Sequence, residues 1–352
     1  MAHPLPTAAR KVRVLVVDDS AFMRHTIARL LAALPDVEVI GMASDGVEGV
    51  RLALELRPDV VTMDVEMPRL DGVSAVREIM QTVPTPIVML STLTAKGAET
   101  AIRALEAGAV ECIAKPSGSS HDLLNVSGAI ETAIRRAAES RVQRQRPAAV
   151  PAPPVRPGAN QPTAVASHLV LIGCSTGGPP ALGEVVPRLP ADLQAGVLVV
   201  QHMPAGFTAA LAKRLDQLSA MPVSEAATGD QILTGRVLVA PGNFHLEIGS
   251  DKRVHLQQEP PLHGVRPAID ISLRSASRVF GARLTVAIMT GMGRDGAEGA
   301  AEAERAGASV VVQDEASCIV YGMPRVAREL TAHPFEAPLN RLAEAITRRA
   351  QR

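Results

Sequence analysis

A serine hydroxyl stands between glycines at Gly173-Cys174-Ser175-Thr176-Gly177, a G-x-S-x-G run. Serine is a poor nucleophile unless a general base takes its proton and a carboxylate orients that base. Two later segments offer such partners: His202 in Gln201-His202-Met203-Pro204, and Asp295 in Thr290-Gly291-Met292-Gly293-Arg294-Asp295-Gly296. Gly291 and Gly293 leave room for the Met292 backbone N–H to approach a tetrahedral oxyanion. These residues suit acyl transfer through a serine ester. A second set is acidic. Asp18, Asp19 and Asp64 would repel one another when gathered unless a hard divalent cation lay among them, and oxygen ligands of this kind suit Mg²⁺. A carboxylate so neutralised can attack a phosphoryl group. Lys115 then supplies a point positive charge for the phosphoryl oxygens, and Ser91 a hydrogen bond.

Neither set works unless strands bring its members together. Val12–Val17, Val37–Ile40, Val60–Met63, Ile87–Leu90 and Val110–Ile113 are short apolar runs that predict buried strands. Helical patterns at Gly46–Leu56, Gly72–Met80, Gly97–Glu106 and Leu123–Arg136 separate them, and Ser20 caps a first helix bearing Phe22, Ile27, Leu30 and Leu31. Such βα units predict a doubly wound parallel sheet, whose ligand sites lie beyond the carboxyl ends of the strands. A second series follows at Leu169–Ile172, Val197–Val200, Val237–Ala240, Leu284–Met289 and Ser309–Val312. It also holds a hairpin, Phe244–Ile248 with Arg253–Leu256, turning at Gly249–Lys252. Ser175 falls in a strand–turn–helix context with Pro179 in the first helical turn, and His202 and Asp295 follow strands at the same edge.

The predicted fold class is therefore α/β with two doubly wound domains. A five-stranded parallel domain spans residues 10–138, and a larger, mainly parallel domain with an antiparallel hairpin spans 167–350. The Pro/Ala/Arg-rich stretch between them, 139–166, cannot bury apolar surface and reads as a linker.

Composition narrows the function classes. Hydrophobic residues make up 47% of the 352, ample for two cores, while aromatics are only 2%. A formal net charge of zero lacks the basic footprint of a nucleic-acid binder. No apolar run approaches the ~20 residues of a membrane span, so no membrane insertion is expected. Three scattered cysteines and a start without a signal peptide point to a reducing, cytoplasmic setting.

Competing readings exist for both sets. Acids at strand ends commonly cap helices. Gly173–Gly178 resembles a phosphate cradle but lacks a Walker lysine and the dinucleotide spacing. Cys174 adjoins the motif serine as an alternative nucleophile. The order Ser…His…Asp differs from the Ser…Asp…His of α/β-hydrolases. His333 would restore that order, yet it lies in Thr-Ala-His-Pro between predicted helices, so the reading places the base at His202.

The first 130 or so residues resemble the receiver domain of two-component response regulators, through VVDDS (Val16–Ser20), MDVEMPRLDG (Met63–Gly72), the hydroxyl after the fourth strand and AKP (Ala114–Pro116). That resemblance implies Asp64 as phospho-acceptor, Asp18, Asp19 and Asp64 as Mg²⁺ ligands with the Glu66 backbone carbonyl, and Ser91, or else Thr92, with Lys115 at the phosphoryl group. Cys112 stands where receivers usually carry an aromatic switch residue.

Nearly the whole chain is similar to the chemotaxis protein-glutamate methylesterase (CheB) family. The carriers are GCSTGGPPAL (Gly173–Leu182), VVQHMP (Val199–Pro204), VAPGNFHL (Val239–Leu246), TGMGRDGAEG (Thr290–Gly299) and QDEASCIVYGMP (Gln313–Pro324). Ala268 stands where the family usually has Ser. The resemblance implies Ser175, His202 and Asp295 as catalytic residues and no cofactor for the esterase. It further implies methylated chemoreceptors as substrate, possible glutamine deamidation, and the chemotaxis histidine kinase as phosphate donor. The receiver is expected to cover the esterase cleft until Asp64 is phosphorylated. The alternative is a response regulator whose second domain is a non-catalytic interaction module.

Overall fold

A computed structural model of the chain describes residues 10–92, 94–115, 120–142 and 164–351. These residues form two compact units. Most of the stretch expected as a linker, and Pro116 of the AKP motif, lie outside the described residues.

The first unit holds strands β1 (Val12–Val17), β2 (Val37–Ala43), β3 (Val60–Asp64), β4 (Ile87–Ser91) and β5 (Glu111–Ala114). They form one parallel sheet in the order β2-β1-β3-β4-β5. Every residue of β3 and β4 is buried. This is why the sequence shows continuous apolar runs there instead of alternation, since parallel sheets are covered on both faces. The helices of this series are α1 (Ala21–Ala32), α2 (Gly46–Leu56), α3 (Gly72–Thr82), α4 (Ala95–Glu106) and α5 (Ser120–Ala138). Ser20, Asp45 and Asp71 cap α1, α2 and α3, each side chain accepting a first-turn N–H. The strand order reverses between β1 and β3, which opens a crevice at their carboxyl ends.

The second unit holds β6 (His168–Cys174), β7 (Ala195–Gln201), β8 (Val223–Glu225), β9 (Val237–Val239), β10 (His245–Ile248), β11 (Val254–Gln257), β12 (Leu284–Ile288), β13 (Ser309–Gln313) and β14 (Phe335–Ala337). Seven of them make a parallel sheet ordered β14-β13-β12-β6-β7-β9-β8, and β10 pairs with β11 as the expected antiparallel hairpin. Helices α6 (Gly178–Val185), α7 (Phe207–Leu218), α8 (Ile269–Phe280), α9 (Ala297–Arg305), α10 (Met323–Leu330) and α11 (Leu339–Ala350) complete it. Leu171, Val200, Val286 and Ile288 from the sheet share one core cluster with Ile269 and Leu273 of α8.

The chain runs from β6 outward to β8 and β9, then returns to lay β12 on the other side of β6. The β6/β12 boundary is thus the switch point of this sheet, where such folds place their ligand crevice. The sequence reading had five sheet strands here, and the structure adds β8 and β14. Both are three-residue edge strands. Pairing on one side alone leaves so short a segment no apolar period to read.

Candidate functional sites

Ser175 is the first residue beyond β6, at the switch point. Its N–H donates to the Thr290 carbonyl at 3.0 Å, and its own carbonyl accepts from the Gly178 N–H at 2.8 Å and from Gln201 Nε2 at 3.0 Å. The serine backbone is thereby held from three directions. Gly177, at φ 76°, makes the turn into α6. Gly291 permits a close approach from the neighbouring strand end: a Cβ there would lie 2.8 Å from Ser175 Cβ and 2.4 Å from Met323 Sδ.

His202 is the first residue beyond β7. Cys174 and Gln201 are register partners, and the His202 N–H donates to the Cys174 carbonyl at 3.1 Å, so Ser175 and His202 leave adjacent strand ends. The Gln201 amide also donates to the His202 carbonyl at 3.0 Å, tying both residues to one side chain.

The His202 imidazole is 6% exposed and its Nε2 lies 2.7 Å from Asp295 Oδ2. Asp295 Oδ2 also accepts the Ile269 N–H at 2.7 Å, and Oδ1 the Asp270 N–H at 3.0 Å. Both donors are first-turn amides of α8, whose own N-cap, Ala268, supplies no side-chain bond. A carboxylate from the β12–α9 loop therefore caps α8 in place of a serine. Burial works against the Asp295 charge, but the His202 contact and the two amides outweigh it and hold its pKa below the ordinary carboxylate value. With Nε2–H turned to this anion, a neutral His202 presents Nδ1 as its proton acceptor.

In the first unit, Asp18, Asp19 and Asp64 bring carboxylate oxygens within 4.8 Å of one another at the β1/β3 crevice. Lys115 Nζ lies 2.6 Å from Asp64 Oδ2 and 2.8 Å from Asp18 Oδ2. Burial opposes the Lys115 charge, yet Asp18 and Asp64 more than offset it and raise its pKa. Burial pushes Asp64 up to about 6 in spite of Lys115. Asp18 Oδ2 is buried with no aligned hydrogen-bond donor, the ammonium lying near but off line. An all-oxygen donor set with an open buried lone pair fits a hard divalent cation. Ser91, at the end of β4, is 1% exposed, and its Oγ lies 3.3 Å from the Thr92 carbonyl. Thr92 is exposed, as is Glu66, two residues past Asp64.

Residues 170–346 match the CheB methylesterase family, and residues 14–126 the response regulator receiver domain family. A protein from Symbiobacterium thermophilum named protein-glutamate methylesterase/protein-glutamine glutaminase is 51% identical over 351 residues, covering 96% of this chain and 97% of that protein. The chain belongs to the CheB methylesterase family. A relative of the same name from Pyrococcus abyssi is 43% identical over 98% of this chain and 95% of its own. The crystal structure of the Thermotoga maritima CheB methylesterase catalytic domain aligns with a TM-score of 0.50 at 37% identity, covering 52% of this chain and 99% of that one.

Within this CheB fold the Met292 N–H has no acceptor among the described residues. Its loop is braced by the 313–323 segment: the Thr290 N–H donates to Gln313 Oε1 at 2.8 Å, and the Gly291 N–H to the Val320 carbonyl at 3.0 Å. Thr290 Oγ1 donates to the Thr176 carbonyl at 3.0 Å. The sequence reading carried Gln201, Thr290 and Gln313 inside its motifs but gave them no role. One signal was available: Gln201 ends an otherwise apolar, fully buried strand, and Gln313 ends the buried run Val310–Val312.

His333, the competing base, lies just before β14 and hence at the amino edge of this parallel sheet, opposite the site. Its N–H donates to Glu304 Oε1 at 2.7 Å. It does not join Asp295. Cys174 is fully buried, and burial pushes its thiol up, which keeps the neutral, unreactive form. Cys112, in β5, is buried in the same way.

Proposed function

We propose that this CheB-family chain is a cytoplasmic, phosphorylation-regulated serine esterase that hydrolyses glutamate methyl esters on chemoreceptors. Support comes above all from one observation: Asp295, anchored by two α8 amides, holds His202 at 2.7 Å on the strand end adjoining Ser175.

Mechanism follows from that arrangement. His202 Nδ1 takes the Ser175 proton as Oγ attacks the glutamyl ester carbonyl, and the imidazolium is stabilised by Asp295. The Met292 N–H donates to the oxyanion. His202 then gives its proton to the departing methoxide, methanol leaves, and water activated by the same base releases the glutamate carboxylate. A base of this kind contributes ~10²–10⁴-fold and one oxyanion donor ~10²–10³-fold. Attack on a glutamine amide would pass through the same acyl-enzyme and release ammonia, in keeping with the glutaminase in the relatives' name.

In the receiver, Asp64 accepts a phosphoryl group from the chemotaxis histidine kinase. Mg²⁺ bound by Asp18, Asp19, Asp64 and the Glu66 carbonyl would neutralise charge at the transferring phosphoryl group. Lys115 and Ser91 hold the phosphoryl oxygens, and this modification relieves inhibition of the esterase.

The test is to incubate the protein with methyl-labelled receptor membranes, with and without acetyl phosphate, and to count volatile methanol. Release that rises with acetyl phosphate, and is absent in Ser175→Ala, is expected. Methanol release persisting in Ser175→Ala, or full activity in His202→Ala, would overturn the assignment.

A further inference from the structure

A second imidazole–carboxylate pair stands directly behind the first. Asp270, in the first turn of α8, is fully buried, and its Oδ2 lies 3.1 Å from His263 Nε2. Its Oδ1 accepts the Gly299 N–H at 2.7 Å, from α9. Ligand atoms of His263, Asp270 and Asp295 all lie within 4.8 Å of one another. His263 occupies a left-handed conformation, φ 53°, followed by Gly264 at φ 76°, in a tight turn closed by the Val265 N–H to the Leu262 carbonyl at 3.0 Å. A non-glycine residue held there carries backbone strain of a kind that collects at functional sites. The imidazole is 29% exposed, whereas the Asp270 carboxylate is fully buried.

We propose that His263 and Asp270 are positioning residues for the serine reaction, acting through Asp295: His263 keeps Asp270 ionised, and this second anion strengthens the hold of Asp295 on the His202 imidazolium. The inference rests on His202 as the base. Burial and the charge of Asp295 raise the Asp270 pKa, while the Gly299 amide and then His263 oppose the rise. Loss of His263 therefore moves Asp270 towards its protonated form. Arg274 also opposes a proton on Asp270, and the other charged groups on the packed elements are paired elsewhere. Arg274 of α8 pairs with Glu298 and Glu302 of α9, and Arg294 also pairs with Glu298. On the hairpin, His245 bonds the Pro260 carbonyl and the Ala268 N–H, and Glu247 bonds Gln257.

The experiment measures kcat and KM against pH for the full chain, treated with acetyl phosphate, and for Asp270→Asn, His263→Ala and His263→Gln. Removing one anion that adjoins Asp295, the partner of the base, is expected to cost about tenfold in proton affinity. Asp270→Asn and His263→Ala are therefore expected to move the acid limb of kcat/KM down by about one pH unit and to lower kcat about tenfold, with KM unchanged. His263→Gln keeps a donor for Asp270 and is expected to fall near the parent. An acid limb that stays in place in His263→Ala overturns the proposal, as does a glutamine variant no nearer the parent than alanine. Should Asp270→Asn fail to fold, the two His263 variants, on a solvent-reaching turn, carry the test. A parent acid limb in His263→Ala with His202→Ala inactive would leave the base in place and remove only this pair. Full activity in His202→Ala would remove the base as well.

Discussion

Ser175 owes its position to what surrounds its backbone. The Thr290 carbonyl, the Gly178 amide and the Gln201 side chain fix it, and Gly291 lies against it where no larger residue fits. In Gly291→Ala the new methyl group would need Ser175 or Met323 to move by several tenths of an ångström or more. Displacements near 1 Å cost ~10²-fold in well-ordered sites. We expect methanol release to fall about 100-fold while the far-UV spectrum is unchanged. Asp64 makes a residue-scale prediction about stability. Its folded pKa, about 6, lies above the ordinary 3.8, so its stabilising contribution is present below about pH 4 and lost as pH rises through about 6. Asp64→Asn should accordingly match the parent near pH 4 in metal-free buffer and exceed it by about 2–3 kcal/mol at pH 8, read from urea unfolding of the receiver. The placing of Ser175 and His202 at adjacent strand ends, of Asp295 against His202 and of Asp64 beside Asp18 was legible in the sequence because each follows an apolar run that reads as a strand. Gln201 and Thr290 were not, because they act on the backbone of residues distant in sequence.

At the scale of elements, the amino end of α8 is where fold and chemistry meet. Ala268 leaves that end without a side-chain cap, and Asp295 supplies the missing acceptor from another loop. Asp295→Ala should therefore damage two properties together. It removes the partner of His202, and it leaves the buried Ile269 and Asp270 amides without acceptors at about 1–3 kcal/mol each. We expect loss of esterase activity accompanied by a drop of roughly 5–10 °C in the melting of the second unit. Asp295→Asn, which keeps an acceptor oxygen, should lose activity with a smaller drop. Equal melting of the alanine variant and the parent would separate the carboxylate from the helix. The sequence reading drew no helix between the hairpin and the strand at Leu284. A helix capped in trans carries no cap of its own to read, just as β8 and β14, paired on one side only, carry no period.

For the molecule as a whole, both sheets were legible because buried parallel strands print continuous apolar runs, and the Pro-rich stretch between them interrupts the pattern. What no single chain position displays is the proposed communication between an acidic crevice and a serine site on different sheets. Its energetic demand is small: tenfold activation corresponds to about 1.4 kcal/mol, within the ~1.5–3 kcal/mol of one new charge-assisted hydrogen bond. The two chemistries use separate residues, so they should separate experimentally. Chelation of divalent ions, or Asp64→Ala, should leave the basal rate of methanol release unchanged and abolish its rise with acetyl phosphate. Ser175→Ala should do the reverse, incorporating phosphoryl groups on Asp64 at the parent rate while releasing no methanol. Basal hydrolysis that collapses on chelation would place a metal-dependent step in the esterase reaction itself. A response to acetyl phosphate that survives Asp64→Ala would move the acceptor to another residue.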